Sequence, residues 1–490
     1  IKNIVSAKKI QEVPDANAAE AIGRLPGISL VRNGGEGSKV IIRGLSPKYN
    51  SIQVEGVKLA SSGAEDRSTD LSMVSPFILE GIEVTKAQLP DKEADAMGGS
   101  VNFILKEASN KDKFEIITQT GFNGLQNKLG DYKFVLSGSK RFFENKLGVL
   151  ALVDLERRNR SSDEYNVNYT NLTSPEKREE VDISIGNLYL LKANRILNRF
   201  GASLVVDYKF ENSKIKFTNF VGQNDNKNEK RINNLRPFLA DVFYSMEDRN
   251  NKLLTLTNSL RYEHNIDNLH FDLGVFYSFS ENSSPQEVIF QGYEPNAFDT
   301  KTIKYQIHPE KLSTYLVNNL DDAYLYDISN EKNYSKERQL SFEFNIKYSL
   351  DLSDDIIIKL KTGIMLKNQY KVYNKDVRWM PISWGGGVPS NSIKMILQNY
   401  PWMQVKTPIG ASRIPWAYFL EDPSKKQSFL DNKYSLKNVP KLNMVREINT
   451  LLSKELLTSY HRSIKDDYNG NENYYAGYIM SEINLGTLIN

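Results

Sequence analysis

The feature that most constrains this chain is a strict period of two. In "LSFEFNIKYSL", Leu340, Phe342, Phe344, Ile346, Tyr348 and Leu350 alternate with Ser341, Glu343, Asn345, Lys347 and Ser349. Successive residues of a strand point to opposite faces, so this pattern writes one apolar face and one polar, charged face. "LHFDLGVFYSF" places Leu269, Phe271, Leu273, Val275, Tyr277 and Phe279 together, with Phe276 the exception. "FGASLVVDYKF" does the same over 200–210. Further strands are expected at 132–141, 147–157, 187–196, 214–221, 253–264, 356–370 and 475–485. Such strands run to about ten residues or more, against about five or six in globular sheets. About ten tilted residues cross a bilayer, and Tyr and Phe at strand ends suit the headgroup girdles of outer-membrane barrels. A soluble sandwich also alternates. Charges such as Glu343 and Lys347 opposite aromatics fit a wet lumen on one side and lipid on the other.

Composition narrows the function. No run of 18 apolar residues occurs and mean hydropathy is −0.48, which excludes transmembrane helices and leaves strands open. A net charge of +3 gives no case for nucleic acid. Cysteine is absent, and the four histidines (His264, His270, His308, His461) are scattered. No thiol chemistry, metal site, cofactor or catalytic constellation is expected, and the chain is not read as an enzyme.

Residues 1–110 follow a different grammar, that of a small mixed α/β unit. Asp15 stands as a cap before the helix formers 16–22, and Pro26-Gly27 stops the helix. Short strands are expected at 28–32, 39–43, 51–54, 81–86 and 102–106. The loop "RNGGEGSKVIIRG" invites a phosphate-binding reading, but Ser38 and Val40 flank Lys39, so no Walker pattern exists. The β-branched run Val40-Ile41-Ile42 prefers a strand, and the glycines read as a flexible approach to it.

Over 1–107 the sequence resembles the plug of a TonB-dependent outer-membrane receptor. The resemblance is carried by "VPDANAAEAIGRLPGISLVRNGGEGSKVIIRGLSPKYNSIQVEGVKLAS" and by "IEVTKAQLPDKEADAMGGSVNFILKE"; "ENYYAGYIMSEINLG" also looks like a barrel strand of that family. It implies a membrane all-β fold: a transmembrane antiparallel β-barrel, 22-stranded in the full chain, with an N-terminal mixed α/β plug inside the lumen. About eleven strands are counted, roughly half, and Leu488-Ile489-Asn490 lacks the usual terminal aromatic. Eleven strands leave unpaired edges, so the chain is expected to be part of a longer one, with the TonB box upstream of Ile1.

The resemblance also implies function. Such receptors bind a scarce extracellular solute and import it into the periplasm of a Gram-negative bacterium, driven by TonB–ExbB–ExbD and the inner-membrane proton gradient. Expected partners are TonB, outer-membrane lipid and the solute; a surface lipoprotein capturing a glycan or peptide is an alternative arrangement, and a passive porin-like channel another. By the same match, Arg43 seats the plug against lumen carboxylates, and Glu55 is a turn residue. Lys48, Tyr49, Asn50, Ser61, Ser62, Glu65, Asp66 and Arg67 lie on apical plug loops facing the solute.

One feature stands outside the family pattern. Trp379, Trp384, Trp402 and Trp416 fall close together, with Tyr400, in a region lacking alternation. It reads as a long extracellular loop at about 374–470 within the barrel portion 111–490, offering aromatic faces to a ligand or forming its own small core. Iron chelate, cobalamin, oligosaccharide and peptide remain open as substrates.

Overall fold

The structure, a computed structural model, describes residues 2–12, 17–63, 66–86, 90–93, 95–171, 183–299, 307–317, 320–353, 356–382, 390–406, 412–421 and 429–485. The N-terminal unit is built on β1 (Lys2–Ser6), β2 (Ile28–Asn33), β3 (Glu36–Ile42), β4 (Asn50–Val54), β5 (Val57–Lys58), β6 (Leu79–Thr85) and β7 (Gly99–Leu105). Five of these form a sheet in the order β1-β6-β7-β4-β5, with β4 parallel to β7; β2 and β3 pair as a hairpin. That hairpin answers the glycine loop. Gly34 and Gly35 have φ of 59° and 78° between the paired Asn33 and Glu36, the double positive φ of a tight two-residue turn. The motif Gly98-Gly99 has an equally local cause. A Cβ on Gly98 would sit 2.1 Å from Asn50 Oδ1, and Gly99 holds φ 146°. The helix at Ala18–Ile22 is capped by Asn17, whose side chain accepts from Ala19 N and Glu20 N. Asp15, expected as the cap, lies outside the described residues.

The rest is one twelve-stranded antiparallel sheet. Its strands are β8 (Lys113–Asn123), β9 (Lys128–Phe142), β10 (Leu147–Asn159), β11 (Ser162–Asn171), β12 (Ile183–Lys209), β13 (Ser213–Arg236), β14 (Asp241–Ile266), β15 (Leu269–Glu294), β16 (Tyr324–Ser353), β17 (Ile356–Pro381), β18 (Leu457–Thr458) and β19 (Tyr468–Leu485). β10 and β11 share β12 as partner and continue one another; β18 and β19 likewise share β17. Among the described residues β8 and β19 do not pair with each other, so the wall is not closed. Two expected strands, 187–196 and 200–210, are one 27-residue strand, β12. Most others run well past the expected length, up to 30 residues.

Register makes the alternation two-dimensional. Val206, Phe217, Leu260, Val275, Phe342, Leu366 and Tyr475 are successive cross-strand partners, and the row is apolar from end to end. Most of its members are exposed, for example Leu260 at 49% and Tyr475 at 74%, and Val206 and Phe342 are half-buried. The adjacent row, Asp207, Lys216, Arg261, Gly274, Glu343 and Met365, points the other way, toward the N-terminal unit. An apolar exposed band backed by a charged face is the surface a bilayer-spanning barrel needs. Connections at one end are short, as at 210–212 and 267–268; at the other end the chain between β15 and β16 and between β17 and β19 is long.

Two cores lie on opposite faces of this wall. One joins the N-terminal unit (Ile42, Val84, Phe103) to inward residues Val205, Phe220 and Leu253. The other joins the long connections (Phe298, Ile393, Trp416, Phe419, Ile448) to Leu190, Leu235, Met246 and Phe290. By strand parity these last four share the outward face with the apolar band. The segment after 382, with helices at Asn391–Asn399 and Leu442–Leu452, therefore jackets the outside of the wall beyond that band.

Candidate functional site

The candidate site is the seam between the N-terminal unit and the inward face of the wall. Most of its ion pairs share one polarity, the acid on the inner unit and the base on the wall; Arg67–Glu472, at 3.7 Å, is reversed. Arg199 of β12 donates from Nη1 to Glu36 Oε1 at 2.8 Å, and its Nη2 lies 2.7 Å from Glu36 Oε2. The same guanidinium reaches Glu156 Oε2 at 3.1 Å. All three side chains are at most 7% exposed, so these charges exist only as a paired set. Asn17 Nδ2 completes the cradle, donating to Glu36 at 3.0 Å.

Lys216 of β13 bridges Glu55 at 2.7 Å and Glu107 at 2.8 Å, and Lys214 reaches Glu107 at 3.0 Å. Burial pushes the Glu107 carboxyl up, but the two ammonium groups outweigh it and hold the group near a pKa of about 2. Lys361 pairs with Asp91, and Lys367 Nζ lies 2.7 Å from Glu93. Between these last pairs and Arg261, Asp272 and Glu343 lies a cavity of about 470 Å³. Higher on the wall, Lys371 Nζ donates to Ser61 Oγ, Gly63 O and Asp66 O at 3.1, 3.1 and 2.8 Å. Ser61 N donates to Glu337 Oε1 at 3.0 Å, and Asn282 Nδ2 to Ser62 O at 2.9 Å. Beyond the seam the inward face carries the pairs Lys230–Glu247, Arg249–Glu287 and Lys375–Glu331, at 2.6, 3.4 and 3.6 Å.

Several sequence-based assignments change. Arg43 has φ 55°, is exposed, and donates to Lys86 O at 3.0 Å within its own unit. The seating charge expected of it is held by Glu36, which has the opposite sign. Glu55 does sit in a positive-φ turn with Gly56, and its side chain is also a seating group, accepting from Leu105 N and Lys216 Nζ. Asn50 is 8% exposed and donates to Val40 O, a structural contact. Lys48 and Tyr49 form a surface turn in which the ammonium lies over the ring. Ser61 and Ser62 are buried against the wall, where they meet Glu337 and Asn282. Asp66 closes its loop on Ser68 N at 3.0 Å, Arg67 is exposed with Glu472 at 3.7 Å, and Glu65 lies outside the described residues.

The aromatic residues also separate. Trp379 is on β17, not in a loop, and its Nε1 donates to Asp327 at 3.0 Å. Trp416 is fully buried and packs on Phe290, Tyr244 and Phe419, so it is core. Trp384 lies outside the described residues. Tyr400 and Trp402 line an open groove on the outer jacket. The described part of the jacket, which carries Tyr400, Trp402 and Trp416, packs on the outer face of the wall, the side opposite the plug loops. Sequence reading missed Glu36, Arg199 and Glu107. A glutamate beside a glycine turn, and arginines on the polar phase of a strand, were the only signals.

An inner unit seated by ion pairs on the charged face of an antiparallel wall whose outer face is apolar is the arrangement of a plug against part of a β-barrel. Residues 2–100 match the TonB-dependent Receptor Plug Domain family. The chain is 28% identical over 116 residues to the Vitamin B12 transporter BtuB of Vibrio vulnificus, a match covering 23% of this chain and 19% of that protein. The ferric yersiniabactin uptake receptor FyuA from Yersinia pestis aligns with 99% of this chain and 61% of its own, at 9% identity and a TM-score of 0.38. The siderophore receptor PiuA from Acinetobacter baumannii aligns with 77% of this chain and 61% of its own, at 15% identity and a TM-score of 0.37. The chain thus spans about a fifth of the curated transporter and about three fifths of the two receptors. Residues 2–100 thus carry a TonB-dependent receptor plug domain, and the antiparallel wall follows it along the chain. Its relatives are transporters and receptors, not enzymes; receptors of this family sit in Gram-negative outer membranes, bind extracellular ligands and interact with TonB.

Proposed function

We propose that this chain, with residues 1–110 as plug and 111–490 as the first part of the barrel, is the working portion of an outer-membrane importer. It takes a scarce solute such as an iron chelate or cobalamin into the periplasm, energised by TonB–ExbB–ExbD. The observation that carries this reading is the seam. Acids on the plug meet bases on the wall through a set of separate polar contacts, with no covalent tie beyond the chain itself. A plug held this way closes a wide barrel at rest, yet contacts that break one after another need only a modest pull at any instant. The ion-paired inward face beyond the plug, around Arg249, Glu287 and Lys375, is the surface proposed to meet the solute, with Arg67 beside it.

The test is conductance of the full-length protein in planar bilayers, intact and with residues 1–110 deleted. The intact protein should be silent and the deletion should open a large, steady pore. A steady pore in the intact protein would mean a passive channel instead, and a silent deletion would remove the plug from the reading.

A further inference from the structure

Outside the wall, the jacket presents a groove of about 520 Å³ lined by Tyr400, Trp402, Glu421, Lys441, Asn443 and Glu447. Trp402 is 58% exposed, whereas Trp416 is buried in the jacket core and Trp379 is half-buried on the wall. Leaving most of an indole in water forgoes the burial that such a ring normally gains, and large aromatics tend to sit bare where they meet a ligand. The ring is also held in place. Tyr400 and Tyr418 both meet it edge to face, at centroid separations of 6.2 and 5.5 Å and angles of 84° and 87°. Two perpendicular neighbours fix the plane of the indole and leave a flat apolar face to the groove.

Around that face the chemistry is that of hydroxyl recognition. The Tyr400 hydroxyl donates to Glu447 Oε2 at 2.9 Å, which orients the carboxylate at the groove. Lys441 and Asn443 add a cation and an amide able to pair with a vicinal diol, and Glu421, held by Arg231 at 3.2 Å, adds a second carboxylate with one oxygen toward the ion pair. A pyranose ring has one face of C–H bonds that stacks on an aromatic plane and an equatorial belt of hydroxyls that pairs with such groups. The open groove suits one or two sugar units of a longer chain.

We infer that the Trp402 groove is a glycan-binding site on the outer face of the receptor, separate from the lumen. Two sources present that chemistry at this height, just beyond the apolar band: the saccharide of the outer leaflet's own glycolipid, and a free oligosaccharide outside the cell. The site is independent of the import reading, because none of its residues contacts the plug among the described residues.

The test uses the full-length protein in detergent, titrated with maltohexaose and, separately, with core oligosaccharide released from lipopolysaccharide by mild acid. Intrinsic tryptophan fluorescence and calorimetry supply the readouts. Saturable binding of either glycan that Trp402→Ala weakens at least tenfold, Trp402→Phe weakens less, and Trp379→Phe leaves unchanged establishes the site. Binding confined to the core oligosaccharide assigns it to the cell's own surface; binding confined to maltohexaose assigns it to captured glycan. Absence of binding to both, or binding that Trp402→Ala leaves unchanged, overturns the proposal. So does a Trp402→Ala protein that only melts at a lower temperature, which marks the ring as packing.

Discussion

Replacing Arg199 by Met should unseat the plug more than any other single change at the seam. The substitution keeps the aliphatic stem and removes the charge that Glu36 and Glu156 share at 2.8 and 3.1 Å. Removing one partner of a buried pair costs about 3–5 kcal/mol when the other is left bare. Neither acid here is left wholly bare. Glu36 keeps Asn17 at 3.0 Å and Arg160 at 3.5 Å; Glu156 keeps Arg158 and, at 3.8 Å, Lys133. The cost therefore falls near the lower bound, about 3 kcal/mol, or about 150-fold in the ratio of unseated to seated plug. Bilayer conductance reads this directly as the fraction of time the pore is open. Arg199→Met combined with Glu36→Gln should recover part of the loss, since the unpaired acid goes with its partner. If Arg199→Met conducts no more than the parent protein, or if the double substitution is fully additive, Glu36–Arg199 does not seat the plug.

Other outcomes follow from the same contacts. Glu107 has a lowered folded pKa, so its stabilisation is full above its ordinary value of 4.5 and lost as pH falls toward about 2; protease cutting at 106–112 should rise over that window, and much less in Lys216→Met. Glu55→Asn keeps the positive-φ turn but loses the 2.7 Å contact to Lys216, and should cost about 1 kcal/mol of plug stability by denaturant titration. Gly292→Ala would bring a Cβ to 2.3 Å from Trp416, so it should loosen the jacket by about 1–3 kcal/mol, seen as proteolysis after residue 382 with conductance unchanged.

Much of this architecture was written in the sequence where hydrophobic alternation could write it. The apolar phase of 340–350 and 269–279 located the band, and the plug strands fell within a few residues of their expected places. The upper halves of the strands were invisible for a physical reason. In "GQNDNKNEKRINN" both faces are polar, so period two leaves no trace, and only pairing with β14 reveals the strand. Register was equally hidden, and with it the partners of Glu36 and Glu107, which lie 163 and about a hundred residues away along the chain. The side of the wall taken by the jacket depended on the phase of Leu190, Leu235 and Phe290, which no local pattern could set against the long segment after 382.

The most direct test is uptake in cells carrying the full-length protein. Labelled cobalamin and ferric siderophores serve as probes, with TonB present, with TonB absent, and with a protonophore added. Accumulation of one of them above its external concentration, ceasing when TonB or the proton gradient is removed, is the predicted result. Uptake that continues unchanged without either would contradict an energised, plugged importer.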